Sequence, residues 1–384
     1  MNNKNSCSLT YVSFEPLRQG HASYTHVIEI IEGLKAQGWN INLIAPTYSR
    51  TSLPGAASRL FAFATLWFRT LSAPKADIYY TRMHFAGFVV SLIGKLRKTP
   101  TVVEVNGPFD DLYIAWPSVK KFAFFFDKLM LSQIKMASVV ISVTEGLRKY
   151  SEEKLRLSRN KPLFEVVTNG ANTSIFRPIK QLPPRKDTTR ASPLKDYVAF
   201  YGTFAPWQGL DKLLDAATSP GWPAELDLRL AGDGALRTKV ETAASHHAHI
   251  HYLGRLNYQD MPYFVANSKL SLVLTQDISG RGQYGLYPLK LFESLAAGVP
   301  VITTQMPEQA DVVIDHECGL VLNDMSPQSI CTAVNKLYSD DKLREKYGNN
   351  GRQITEEQYS WESLAKKTHL ILTKLLSEPK QIRK

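Results

Sequence analysis

Short apolar runs alternate with amphipathic stretches along most of the chain. Near its start, LTYVSF is followed by a loop through Gly20, by apolar positions at helical spacing from about Tyr24 to Ala36, and by NINLIAP. Apolar runs of about four to eight residues suit strands buried on both faces, and intervals of about three and four suit a helix lying against them. The alternation continues through ADIYYTR, a helix over Gly87–Leu96, PTVVEVNG, an aromatic helix over about Val119–Met136, ASVVISVT, a helix from Glu145, and FEVVTNG. Phe176–Asp196 interrupts it with a proline-rich, charged, aperiodic stretch that reads as a linker. A second cycle predicts strands at YVAFYG, LDLRLAG, IHYLG, LSLVLT and PVITT, with helices over Leu210–Ala217, about Ala235–Ala244, Asp260–Ala266 and from Pro288.

This pattern predicts an α/β chain of two doubly wound, Rossmann-like domains, 1–183 and 184–355, facing across a cleft. The segment 356–384 carries a helix, about Glu357–Leu376, that is expected to cross back to the first domain. Open parallel sheets bind ligands at the carboxyl ends of their strands, so the cleft is the expected active site.

Composition adds compartment and charge. A 44% hydrophobic content over 384 residues is enough for two cores. Cys7, Cys318 and Cys331 are odd in number and widely spaced, which fits neither a disulfide framework nor a zinc site and favours a reducing cytosol. The first residues lack a secretory pattern, and the longest apolar stretches are too short to span a bilayer, so membrane contact is expected to be peripheral. Residues 1–183 hold 23 Lys and Arg against 12 Asp and Glu, whereas 184–384 hold 23 against 23. Such a basic half suits anionic lipid or an anionic substrate. Nucleic acid is not expected, because the bases do not form a stripe with stacking aromatics.

The chemistry is expected in GLYPLKLFESLAAGVPVITT, Gly285–Thr304. Proline suits the start of a helix and Gly298 its end, which places Lys290 in the first turn, where orphan N–H groups and the helix dipole favour an anion. Glu293, three residues on, can accept two sugar hydroxyls. On an isolated helix the two would merely form a surface ion pair. Three further glycine-bearing loops follow predicted strands: YGTFAPWQG with Gly202, Gln208 and Gly209, AGDGALR with Gly232, Asp233 and Gly234, and LRQGHASYT with Gly20 and His21.

Taken in order, QGHASYTHVIEIIEGLKAQGWNINLIA, PTVVEVNG, ASVVISVTEGLRKY, VVTNGANTSIFRP, YGTFAPWQGLDKLLDAA, RLAGDGALRTKVE and LYPLKLFESLAAGVPVITT resemble the GT-B glycosyltransferases, most closely family 4. The resemblance covers nearly the whole chain. It implies a retaining transferase that moves a sugar from a nucleotide-sugar to a saccharide or lipid-linked acceptor, often in bacterial surface polysaccharide or lipopolysaccharide synthesis, with no metal and no other cofactor. It implies that the diphosphate meets the Gly20 loop, Leu289 and Lys290, with Arg281 assisting. The ribose would meet Glu293, and the base would lie near Gly232, Asp233 and Leu253–Arg255. Lys290 would stabilise the leaving group. Asn106 stands where relatives carry histidine and can bind a sugar hydroxyl, and His21 is a further catalytic candidate. Two other positions depart from the family pattern. Gly285 replaces a glutamate that contacts the donor sugar, a contact Asp277 or Gln283 could supply, and Gln208 replaces a phosphate-binding lysine beside Trp207, which is read as packing.

Other features have blander readings. His246, His247, His249 and His251 straddle a helix end and a strand, so their side chains should diverge and hold no metal. His84, at a strand end, is read as structural. SRLFAFATLWFRTL and KKFAFFFDKLML are either core helices or an apolar, cationic surface for an anionic membrane at the inner face of the cell. Alternatives to transfer are a nucleotide-sugar epimerase of the same architecture and a non-catalytic nucleotide-sugar binding protein.

Overall fold

The computed structural model describes residues 7–46, 55–158, 161–184, 195–277 and 280–377. The chain divides into two compact units, 1–168 with 364–384, and 169–363.

The first unit is built on β1 (Ser8–Val12), β2 (Asn40–Ile44), β3 (Ile78–Arg82), β4 (Thr101–Val105), β5 (Val139–Ser142) and β6 (Leu163–Val166). All pair in parallel, in the order β2-β1-β3-β4-β5-β6. Its helices are α1 (Ala22–Ala36), α2 (Ala56–Ser72), α3 (Phe88–Arg97), α4 (Asp110–Ala115), α5 (Ala123–Met136) and α6 (Glu145–Lys154). The aromatic helix starts later than its pattern suggests, because Pro117–Phe122 winds as a 3-10 turn first. Strands β3, β4 and β5 have both faces covered, as expected where crossovers place helices on each side.

The second unit carries β7 (Tyr197–Thr203), β8 (Asp227–Asp233), β9 (Ile250–Tyr252), β10 (Leu270–Val273), β11 (Val301–Thr304) and β12 (Gly319–Leu322), in the order β12-β11-β10-β7-β8-β9. Its helices are α7 (Leu210–Ala217), α8 (Arg237–His246), α9 (Met261–Ala266), α10 (Leu289–Ala296), α11 (Gln309–Asp315), α12 (Pro327–Ser339), α13 (Asp341–Glu357) and the start of α14 (Trp361–Ser377). Along β7, Val198 and Phe200 enter one core while Tyr197, Ala199 and Tyr201 enter another, so the two-residue period of the strand feeds both faces of the sheet.

The division falls before the proline-rich stretch rather than inside it. Phe176 is buried in the second core, Ala171 exchanges backbone hydrogen bonds with Tyr359 and Trp361, and Arg352 binds the carbonyls of Thr173, Phe176 and Ala296. Residues 185–194 of the expected linker lie outside the described residues. At the other end, Trp39 donates to His369 Nδ1 at 2.9 Å, which ties α14 to the first unit.

Candidate active site

In the second sheet the strand order reverses between β7 and β10, and the crossovers leaving these two strands lead to opposite sides of the sheet order, to β8 and to β11. The β7 loop ends in a 3-10 turn, Pro206–Gln208, and Gly209 then starts α7 with φ of 67°. Gln276 N donates to Trp207 O at 2.8 Å, which joins the β7 loop to the β10 loop. Trp207 is exposed and is not a packing residue.

Helix α10 presents its amino end here. Pro288 occupies the N-cap position, and no side chain caps the helix. Leu291, Phe292, Leu295 and Ala296 are fully buried and fix the helix on the sheet. Lys290 is only 8% exposed; its ammonium donates to Gln208 Oε1 and lies 4.6 Å from the ring of Phe200. The Tyr201 hydroxyl sits 3.0 Å from the Lys290 carbonyl and 3.0 Å from Ser294 Oγ, and it also bonds the Glu293 carboxyl. Burial pushes Lys290 down to about 7, against the opposing pull of Glu293. Burial likewise pushes Glu293 up to about 7, against Tyr201 and Lys290. The surface ion pair expected of an isolated helix is therefore not what forms.

The neighbouring strand ends carry the other residues of the second unit. Gly202 pairs with Gly232, and Thr203 with Asp233, across β7 and β8. A Cβ on Gly232 would lie 1.9 Å from Gly202 O, so only glycine allows these strand ends to close. Asp233 accepts from Gly234 N at 2.8 Å and pairs with Arg255 at 3.2 Å. Arg281 stands in the 3-10 turn Arg281–Tyr284, which Asp277 anchors by accepting from Gly282 N at 2.9 Å. Gln283 is exposed, and Leu289 opens α10.

The remaining candidates belong to the first unit. Gly20, with φ of 84° and open space where a Cβ would stand, precedes His21, the exposed N-cap residue of α1. Asn106 follows β4 and donates to Glu104 Oε1 at 2.7 Å. Glu104 is the hub of a network with His26 at 2.9 Å, Arg82 at 3.4 Å and the Tyr80 hydroxyl at 2.6 Å. Burial works to raise its pKa, but His26, Arg82 and Tyr80 hold it at about 2. His84 stacks on Phe14 and accepts from Ala86 N; burial, then the nearby Arg59 charge, lowers it to about 3, so it is a neutral structural residue. Three of the four clustered histidines turn to separate partners, His246 to Thr242 O, His249 to Ala217 O and His251 to Asp227, while the His247 ring packs edge-on against His249 at 6.0 Å. Among the described residues no group of three or more His, Cys, Asp or Glu could hold a metal ion, and no helix is long and apolar enough to cross a membrane.

The aromatic helices divide their residues between core and surface. Phe63 and Leu66 of α2 are buried, while Leu60, Phe61, Phe68 and Leu71 are exposed, as are Phe122, Phe124 and Phe125 around the start of α5. Lys121 and Lys128 lie over the rings of Phe122 and Phe124 at 5.2 and 4.0 Å.

Two parallel six-stranded sheets, each in its own helix-covered unit, define a two-domain α/β fold, and its solved counterparts are GT-B proteins. Sucrose-phosphate synthase from Thermosynechococcus elongatus matches with a TM-score of 0.71 at 16% identity, covering 97% of this chain and 99% of its own. HepE of Anabaena, in complex with UDP-glucose, matches at 0.67 and 13% identity over 96% and 99%. In sequence, the family model for glycosyl transferases group 1 matches residues 185–354, and that for glycosyltransferase family 4 matches residues 24–175. An uncharacterized glycosyltransferase of Methanocaldococcus jannaschii is 26% identical over 74% of this chain and 72% of its own. The phosphatidyl-myo-inositol mannosyltransferase of Mycobacterium leprae is 23% identical over 89% and 90%. The chain is a glycosyltransferase of the GT-B type that resembles family 4.

Proposed function

We propose that the chain transfers a sugar, with retention, from a nucleotide-sugar to a saccharide or lipid-linked acceptor in the synthesis of a surface polysaccharide or lipopolysaccharide. The observation that carries this reading is the Lys290 ammonium, buried at the uncapped amino end of α10 and held by Gln208, one turn from a Glu293 that burial keeps protonated toward neutral pH. Both groups are costly to bury without a complementary ligand. A diphosphate answers the lysine and the helix end, and ribose hydroxyls answer the carboxyl.

In the proposed reaction the bond from the sugar's anomeric carbon to the diphosphate oxygen breaks while the bond to the acceptor oxygen forms on the same face. The acceptor proton passes to the departing phosphate oxygen. Lys290, Arg281 and the α10 end stabilise the developing negative charge, and no metal takes part. Gly232, Asp233 and Arg255 border the base, and the first unit, with Asn106 and His21, receives the acceptor. The relatives support this reading: HepE was solved with UDP-glucose, and the mycobacterial relative is named for mannosyl transfer to a phosphatidylinositol. We also propose that the first unit docks on an anionic membrane through Phe61, Phe68, Phe122 and Phe124 and their neighbouring lysines.

Incubation with labelled UDP- and GDP-sugars, a lipid-linked acceptor and EDTA tests the reading. Free nucleotide together with glycosylated acceptor is expected, at a rate EDTA leaves unchanged. An interconverted donor without transfer would mean epimerisation instead.

A further inference from the structure

Gly285 and Glu308 share one place. A Cβ on Gly285 would lie 2.6 Å from Glu308 Oε1, so the carboxylate fills the space that a side chain at 285 would need. The segments around them run together: Leu286 N donates to Pro307 O at 3.2 Å, and the Tyr287 hydroxyl bonds the Glu308 carboxylate. Pro288 follows directly and starts α10, so Glu308 borders the very segment that delivers Lys290 and Glu293.

The backbone of Glu308 is strained. Its φ of 65° and ψ of −42° lie where a residue with a Cβ rarely goes. Reciprocal bonds with Asp311 hold it there, with Glu308 N donating to Asp311 Oδ2 at 2.8 Å. So does the next residue, Gln309, which is fully buried and bonded to Thr275, Thr303 and Thr304 at the ends of β10 and β11. Glycine at 308 would relieve the strain, and a neutral side chain could cap α11. The α11 cap and the Tyr287 hydroxyl hold the carboxylate in place against Gly285.

We propose that Glu308 determines which sugar is transferred: its carboxylate, reaching past Gly285, accepts hydrogen bonds from hydroxyls of a hexose on the donor diphosphate. This rests on the nucleotide-sugar reading above. A carboxylate offers about four lone-pair sites, so the helix cap and the sugar hydroxyls can be served together. A sugar whose hydroxyl is absent or points elsewhere forgoes these bonds to the half-buried carboxylate and is bound less well.

The test compares binding of UDP, GDP, UDP-glucose and GDP-mannose to the full chain and to its Glu308→Gln and Glu308→Gly variants, with turnover of each nucleotide-sugar that serves as donor. Both variants are expected to hold the nucleoside diphosphate within about threefold, while affinity and kcat/KM for the nucleotide-sugar fall about 10- to 100-fold and discrimination between sugars narrows. Glu308→Gly should keep or raise Tm, since it removes the strain, so its loss of sugar recognition is not a folding defect. Equal losses for diphosphate and diphosphate-sugar, or no loss for either, overturn the proposal alone. A wild-type chain that binds no nucleotide-sugar overturns the donor reading and this proposal together.

Discussion

Lys290 keeps its amine where water scarcely reaches it, and this sets a pH signature for the ligand-free protein. Its folded pKa lies below the unfolded one, so the cost of its charge is fully present below pH 7 and fades as pH rises toward the unfolded value. Glu293 is shifted the other way. Its contribution favours the fold at low pH and is lost as pH rises through about 7. Together they predict that apparent stability dips near pH 7, and that Lys290→Met removes the alkaline side of the dip in melting curves recorded from pH 5 to 10. The variant should be as stable as wild type or more so by about 1 kcal/mol, yet lose about 100- to 1000-fold in kcat. Because a bound diphosphate would restore the ammonium, nucleotide affinity should weaken as pH rises above 7, with proton uptake measurable by calorimetry in two buffers. The residue types at these positions were legible in the sequence, but their burial was not. It depends on Phe200, Tyr201 and Gln208, which come from another strand and its loop. Glu308 gave no signal either, since a positive φ on a glutamate leaves no trace in composition or period.

At the scale of elements, the reversal between β7 and β10 places α10, and β7 and β8 approach closely at Gly202 and Gly232. Gly232→Ala should force Gly202 and Gly232 apart at a cost of about 1–3 kcal/mol, read as a lower urea midpoint, and should weaken nucleotide binding in parallel. An unchanged midpoint would mean that the strand ends yield freely. Period and turn residues sufficed for most strands and for α7, whose apolar positions recur within a stretch bounded by Gly209 and Thr218. They did not reveal β12, α11 or α12. GLVL is too short to mark a strand by itself, and it becomes one only by pairing with β11. The His26, Arg82 and Glu104 network was equally hidden, because its members come from α1, β3 and β4 and share no local pattern.

For the whole molecule, residues 1–168 hold 21 Lys and Arg against 12 Asp and Glu, and the exposed phenylalanines of α2 and α5 fall in the same unit. Sedimentation with anionic vesicles should therefore capture the chain at low salt and release much of it at high salt, and Phe61→Ser with Phe124→Ser should weaken capture about tenfold without altering Tm. No capture at either salt would remove the membrane from the reading. The first unit is also discontinuous, since it is completed by residues from beyond the second. During translation the ribosome must therefore finish 169–363 before Trp39 can meet His369. The amino-terminal unit, its six strands already made, waits for α14 to emerge, and a chain cut short before α14 carries an unfinished first unit and a finished second one.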